Sequence, residues 1–423
     1  MADRRERTAV KKQTTEVQAA SRVCWESLEE WARGKLQGWL QGLLEEEVTE
    51  LLGRRKSERR AVCDASEGYR NGHGKERRLT FSCGTVTVRR PRVRGLEERF
   101  VSALLPLFAR RTAAVNGLLP ELYLHGLAQG DFDLAVRGLL GEDAPVSAST
   151  IARLTEKWQD EQREWAKRRL DDLEPVYMWA DGVYVKAGLE KEKAALLVVI
   201  VGLADGRKEF VALAAGHRES KESWAAVLRD LRERGLRAPH LVVADGHLGL
   251  WAGLREVFPE ADEQRCWNHR VLNVLDKLSK KHQSQARLML RAMPCAETAE
   301  EASRLKTKFQ KWCRQRGQHD AAELIDHDWE RLLTFYRYPR AHWKHLRTSN
   351  VIESPFAALR LRTDAAKRFR RVTSATAMIY KMLLVAQQKF RKLNAPELLK
   401  DVLRGVKYID GERAIKANQE LAA

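Results

Sequence analysis

Two Ala-Asp-Gly tripeptides, at 180–182 and 244–246, constrain this chain more than any other feature. Val176–Lys186 alternates as a strand does, with Tyr177, Trp179, Asp181 and Val183 on one face. Ala194–Ala204 is apolar on both faces, as a central strand is. Asp205-Gly206 is a turn signal, and Glu209–Ala215 reads as a third strand closing an antiparallel meander. Glu219–Arg234 has helical spacing, with Trp224, Val227, Leu228 and Leu231 on one stripe. His240–Ala244 is a short buried strand, and a strand reached through a helix is normally parallel to its neighbour.

Three antiparallel strands, a helix and a parallel strand beside the first make a ribonuclease-H-like α/β core. In that order Asp181 and Asp245 stand on adjacent strands, where their carboxylates can converge.

The 423 residues predict two or three domains. A net charge of +18 predicts a polyanionic partner, nucleic acid first. The longest apolar run, Ala194–Ala204, is too short to span a bilayer, and MADRRERTAVKK has no signal-peptide core. Six scattered cysteines fit a reducing cytoplasm.

Residues 16–60 predict a helix with the stripe Leu36, Leu40, Leu43, Leu44, Val48, Leu51 and Leu52. Arg70–Arg78 reads as a basic, Gly-rich loop, followed by a hairpin of Leu79–Ser82 and Thr85–Arg89 turning near Gly84. Arg89, Arg90 and Arg92 are candidate phosphate contacts there, beside the alternative of a solvated face. Leu118–His125, Asp131–Leu140 and Ala148–Trp158 read as a helix-turn-helix at 117–170, or as an ordinary three-helix unit. Ser147 is the candidate cap of the third helix. With Ser149, Thr150, Arg153 and Lys157 it has the side chains a recognition helix needs to reach bases.

Beyond Asp245, His247–Val257 reads as a helix that His247 can cap. Cys266 and His269 have C-x2-H spacing and suit the next core strand. A zinc site would need Cys313 and His319 as well, at irregular spacing, so a buried thiol and a hydrogen-bonded imidazole are the plainer reading. Residues 270–345 read as helices throughout, with Trp312, Trp329 and Trp343 as core. Ser349 or Asn350 can start a helix with Pro355 in its first turns and Ile352, Phe356 and Leu359 buried. Arg360, Arg362 and Lys367 on that basic stretch are candidate DNA contacts. A further helix is expected over Thr373–Lys392, and Asn394 and Pro396 introduce a last one.

The order of these motifs resembles the bacterial mutator-type insertion-sequence transposases, a branch of the DDE transposases. The matching stretches are GYRNG at 68–72, PELYLHGL at 120–127, SASTIARL at 147–154, ADGVYV at 180–185, VVADGHLG at 242–249, RCWNH at 265–269 and NVIESPFAALRLRT at 350–363. The resemblance covers about residues 40 to 395; Val351 departs from the family's usual small residue or proline.

The resemblance implies that Glu353 is the third acid, a choice the residues alone do not make. It implies an all-α insertion at 270–345 within the core and makes Cys266 and His269 a family signature that supports the site, with His247 near it. The expected organisation is a helical, dimer-forming 1–63, a basic hairpin region 64–116, the helix-turn-helix 117–170, core 171–269, insertion 270–345, and the last catalytic helix with C-terminal helices in 346–423. The expected metal is Mg²⁺, two per site, with Mn²⁺ as a substitute, held by Asp181, Asp245 and Glu353. The expected partners are double-stranded DNA, as terminal inverted repeats and target, and a second copy of the chain. No membrane and no small-molecule cofactor is expected, and the implied location is the bacterial cytoplasm, at the nucleoid. Two alternatives share the sequence signals: another ribonuclease-H-like nuclease, and a non-catalytic DNA binder derived from a transposase.

Overall fold

The structure, a computed structural model, describes residues 25–58, 68–127, 131–141, 144, 148–188, 193–216 and 220–414. Ser147 and the side chain of Ser149 lie outside the described residues. The chain divides into two compact units: one takes residues up to Leu122 and 129–148, the other Tyr123–Ala128 and everything from Ser149 onward.

The first unit opens on helix α1, Leu28–Leu52, which buries Leu44, Val48 and Leu52 and ends at Gly53 in the left-handed region. Strands β1, Tyr69–Phe81, and β2, Gly84–Arg94, form an antiparallel hairpin. The expected loop over Arg70–Arg78 is therefore strand. Two register shifts, between Arg70 and His73 and between His73 and Glu76, absorb the glycines that made it read as a loop. Gly84 takes φ 121° at the turn, a conformation side chains resist. Leu79, Val86 and Val88 pack with Leu44 and Leu105 into a small core. Helices α2, Ala113–Leu124, and α3, Phe132–Leu140, follow, the last residues of α2 falling in the second unit.

The second unit takes nearly all of α4, Ala148–Ala166, so the three expected helices of 117–170 are divided between the units. Ile151 and Trp158 of α4 are buried, while Arg153 and Lys157 face solvent. Strands β3, Pro175–Val185, β4, Ala194–Leu203, and β5, Lys208–Gly216, form the expected meander. Helix α5, Lys221–Glu233, capped by Ser220, leads to β6, Leu241–Ala244. Helix α6, Leu248–Val257, leads to β7, Asp262–Arg265. The five-stranded sheet has the order β5-β4-β3-β6-β7, with β6 and β7 parallel to β3.

The side-chain period of two sorts the sheet into two cores. Met178, Ala180, Val199 and Val242 pack under α5 and α6 with Trp224 and Trp251. Tyr177, Trp179, Val183, Ile200 and Val243 face a helical block. That block contains α7, Trp267–Asp276, α8, Lys280–Ala292, α9, Ala299–Arg314, α10, His319–Leu324, α11, Trp329–Leu333, and α12, Trp343–Leu346. Trp312, Trp329 and Trp343 are buried in it, as expected. Helices α13, Asn350–Ala365, and α14, Val372–Gln387, close the same face, followed by α15, Glu397–Leu403. A two-residue hairpin of β8, Tyr408–Ile409, and β9, Glu412–Arg413, ends the described chain; pairs this short leave no readable alternation. Among the described residues no helix is long and apolar enough to cross a membrane.

Candidate active site

Asp181 lies on β3 on the same face as Trp179 and Val183, the face covered by α13. Trp179 pairs with Val243 in the parallel ladder, and each aspartate stands two residues further along its chain. Asp181 thus lies two residues past the last β3–β6 pair, and Asp245 directly follows the neighbouring strand β6.

Both aspartates are held by local backbone. Asp181 is 8% exposed, and its Oδ1 accepts the Gly182 N–H at 2.8 Å. Asp245 follows β6, and its Oδ1 accepts the His247 N–H at 2.9 Å, a turn made possible by Gly246 at φ 96°. His247 does cap α6: its Nδ1 accepts the Gly249 N–H at 3.2 Å.

Glu353 sits in the first turn of α13 and is partly buried. Its Oε1 accepts the Ser349 hydroxyl at 2.5 Å and lies 3.9 Å from Cys266 Sγ and 3.6 Å from His269 Nδ1. Cys266 and His269 are not on a core strand. Strand β7 ends at Arg265: the Cys266 N–H makes the last ladder bond, to Ala244 O, and the Cys266 carbonyl accepts the Arg270 N–H, so Cys266 is the cap residue of α7. The buried Cys266 sulfur accepts the Ser349 N–H at 3.3 Å, tying the start of α7 to the start of α13. Cys266, His269 and Glu353 place three ligand atoms within 4.8 Å of one another, so the partner of the C-x2-H pair is Glu353. Cys313 lies instead within α9, its thiol pushed up to about 11 by burial.

The imidazole of His269 is raised to about 9, by the Cys266 sulfur first and by the carboxylates of Glu353 and Asp181, against the opposing effect of burial. Its Nδ1 is buried without a hydrogen-bond partner. The side chain thus lies in the field of two of the three expected acids.

Among the expected DNA contacts, Arg362 is corrected. It is 4% exposed; its Nε donates to Tyr123 O at 2.8 Å, its Nη2 to Leu127 O at 3.2 Å, and its guanidinium lies 4.8 Å from the Tyr123 ring. It fastens α13 to the last residues of α2 and the segment after them and has no surface to offer. Arg360 and Lys367 are exposed, Lys367 just past α13 in the left-handed region. Arg89 is exposed, with its guanidinium on Glu76 at 2.5 Å. Thr150 is half-buried at the start of α4.

Sequence reasoning missed Ser349 as the group that holds Glu353, although its position four residues earlier was a usable signal. It also missed Arg265 and Arg270, which converge on Asp328 from 63 and 58 residues away with no local pattern to announce it.

A family model described as "Transposase, Mutator family" matches residues 6–392. The chain is 44% identical over 297 residues to the transposase for insertion sequence element IS6120 of Mycolicibacterium smegmatis, covering 70% of this chain and 92% of that relative. It is 37% identical over 275 residues to the transposase for insertion sequence element IST2 of Acidithiobacillus ferrooxidans, 64% of this chain and 93% of that one. With the transposase for insertion sequence element ISRM5 of Rhizobium meliloti it shares 31% identity over 360 residues, 84% and 87% of the two chains.

Proposed function

This chain belongs to the Mutator family of transposases, and from that premise we propose that it binds the terminal inverted repeats of an insertion sequence and cuts and joins DNA there. The core is read as ribonuclease-H-like on its β5-β4-β3-β6-β7 order. The catalytic acids are Asp181, Asp245 and Glu353. The observation that carries this reading is the ladder register: with Trp179 opposite Val243, Asp181 lies two residues past the last β3–β6 pair and Asp245 directly follows β6, while α13, with Glu353, packs on β3.

The donor set fits Mg²⁺, because three carboxylates are the hard oxygen ligands this ion takes. Bound by Asp181, Asp245 and Glu353, two Mg²⁺ ions would activate the attacking oxygen and stabilise the leaving one. The chain's own residues supply position. Gly182 and His247 fix one oxygen of each aspartate through backbone N–H groups. Ser349 and Cys266 hold Glu353 at the mouth of α13, and His269 lies beside it. Arg153 and Lys157 on the exposed side of α4, with Arg360 and Lys367, are the DNA contacts in this unit.

The test is cleavage and strand transfer by the full chain on duplexes carrying the repeats that flank its reading frame, with Mg²⁺, Mn²⁺ or EDTA. Metal-dependent nicking at the repeat end, lost in Glu353→Gln while binding persists, is the expected result. Tight binding without nicking under any metal would make it a non-catalytic binder. Nicking retained by Glu353→Gln would remove the third acid.

The Cys266–His269–Glu353 triplet favours a second reading, a nitrogen–sulfur–oxygen site for a softer ion such as Zn²⁺. Stoichiometric zinc in the purified chain, lost in Cys266→Ser, would establish it; a zinc-free and active protein would dismiss it.

A further inference from the structure

The first unit carries a groove of about 440 Å³ whose lining includes Lys75, Arg77, Arg90, Arg92, Arg94 and Arg99 and no acidic residue. Six cations facing one cavity without a carboxylate repel one another, and a fold keeps such a set only at a cost in stability. Arg77 shows the strain: its proton affinity is lowered by burial first, and then by the charges of Arg90 and Arg110. Arg77 is pinned at the wall by donating to Ala109 O at 2.6 Å and Pro106 O at 3.1 Å. Arg90 has its Nη1 buried without a hydrogen-bond partner.

A second groove on the same hairpin shows what neutralisation looks like. It is lined by Lys56, Arg70, His73 and Arg89, but also by Glu45 and Glu76. There Arg89 meets Glu76 at 2.5 Å and His73 meets Glu45 at 2.6 Å. Side chains alternate along β2, so Arg90, Arg92 and Arg94 share one side and Arg89 takes the other. The hairpin therefore separates a side where carboxylates pair with the cations from an acid-free one. Residues two apart on a strand repeat at about 6.8 Å. That is close to the step between neighbouring phosphates of one nucleic-acid strand.

We propose that the acid-free groove of the hairpin is a cradle for the phosphate backbone of duplex DNA, with Arg90, Arg92 and Arg94 following successive phosphates. The inference rests on the DNA-acting reading above and names a site it does not contain. Phosphate contacts carry no sequence information, so the cradle fixes the protein on the duplex and leaves base reading to other residues.

The test is equilibrium binding of the full chain to a random-sequence duplex and to an element-end duplex across a salt series, by fluorescence anisotropy. Each phosphate contact contributes about 0.9 to the slope of log Kobs against log salt. Arg92→Gln with Arg94→Gln is expected to make the slope shallower by about 1.8, and about 60-fold weaker binding at 0.1 M salt if the lines meet at 1 M. Both duplexes lose equally. Arg89→Gln, on the side with carboxylates, is the control and leaves the slope within about 0.3 of the parent. Should the double variant lose its circular-dichroism melt, Arg99→Gln alone is read for a drop of about 0.9. An unchanged slope, or an equal drop in Arg89→Gln, overturns the cradle while leaving the transposase reading intact. A parent chain that binds neither duplex overturns both. Loss confined to the element-end duplex overturns the backbone role, because it would mean the groove reads sequence.

Discussion

Asp328→Asn tests whether a buried charge cluster holds the site's elements together. Asp328 stands just before α11, and its side chain is 8% exposed. Its Oδ2 accepts from Arg265, from Arg270 Nη2 at 3.0 Å and from His327 Nδ1 at 3.0 Å, while Oδ1 takes Arg331 Nη1 at 2.6 Å. The side chains of Arg265 and Arg270 are 10% and 1% exposed. Arg270 is already lowered to about 10, by burial first and by Arg265 next, with Asp328 opposing both. Asparagine keeps the shape and removes the charge, leaving two buried guanidinium groups without this carboxylate. Breaking a buried pair in this way costs about 3–5 kcal/mol. At about 2–4 °C per kcal/mol for a unit of this size, the melting temperature should fall by about 10 °C. The assay is urea unfolding, read as a lower midpoint at unchanged slope, with a thermal melt beside it. Asp328→Asn combined with Arg270→Met should cost less than the sum of the two, by about 1–3 kcal/mol. A melting temperature within about 2 °C of the parent for Asp328→Asn would refute the reasoning. Because Arg265 directly precedes Cys266, the variant should also lose cleavage faster on warming than it loses DNA binding.

Three further outcomes are expected. Gly246→Ala places a Cβ 2.4 Å from Arg265 Cζ at φ 96°, so it should destabilise by at least about 1–3 kcal/mol; a parent-like melt would show that the turn yields freely. Ser349→Ala removes the hydroxyl on Glu353 Oε1 and should slow cleavage about 10- to 100-fold at unchanged DNA affinity; undiminished cleavage would mean that Cys266 alone positions the acid. His345 is lowered from 6.5 to about 4, by burial first and then by Lys208, with Lys344 and His342 adding to it. Its unfolded form therefore takes up the proton first. The stability it contributes is full above about pH 6.5 and is lost as pH falls toward 4. His345→Gln should flatten that part of the stability profile, and an unchanged acid limb would reject it.

Much of the sheet in the second unit was legible because its signals are local. Period-two alternation places β3, two-sided apolarity places β4, and the 3.6-residue stripe of Trp224, Val227, Leu228 and Leu231 places α5. The handedness rule then makes β6 parallel to β3. Other features were hidden for definable reasons. Arg70–Arg78 reads as a loop because its glycines and charges lack strand character, yet pairing with β2 makes it strand across two register shifts. Arg362 reads as a surface cation because arginines are usually exposed, and only the carbonyls of Tyr123 and Leu127 reveal it as buried. Cys266 reads as a strand residue until its carbonyl is seen to accept the Arg270 N–H and open α7.

The chain's local periodicities and its two ADG turns determine by themselves which segments of the sheet become strands, and that Asp181 lies on β3 while Asp245 directly follows its neighbour β6. Those properties depend on neighbours within a few residues, where backbone sterics and alternation act. Tertiary structure alone decided which side chain meets Glu353, which arginine is buried, and which side of the hairpin is free of acid. Those outcomes depend on pairs such as Glu76 with Arg89, Cys266 with Glu353 and Tyr123 with Arg362, which stand 13, 87 and 239 residues apart, and charge pairing and desolvation act on distance in space, where sequence spacing has no voice.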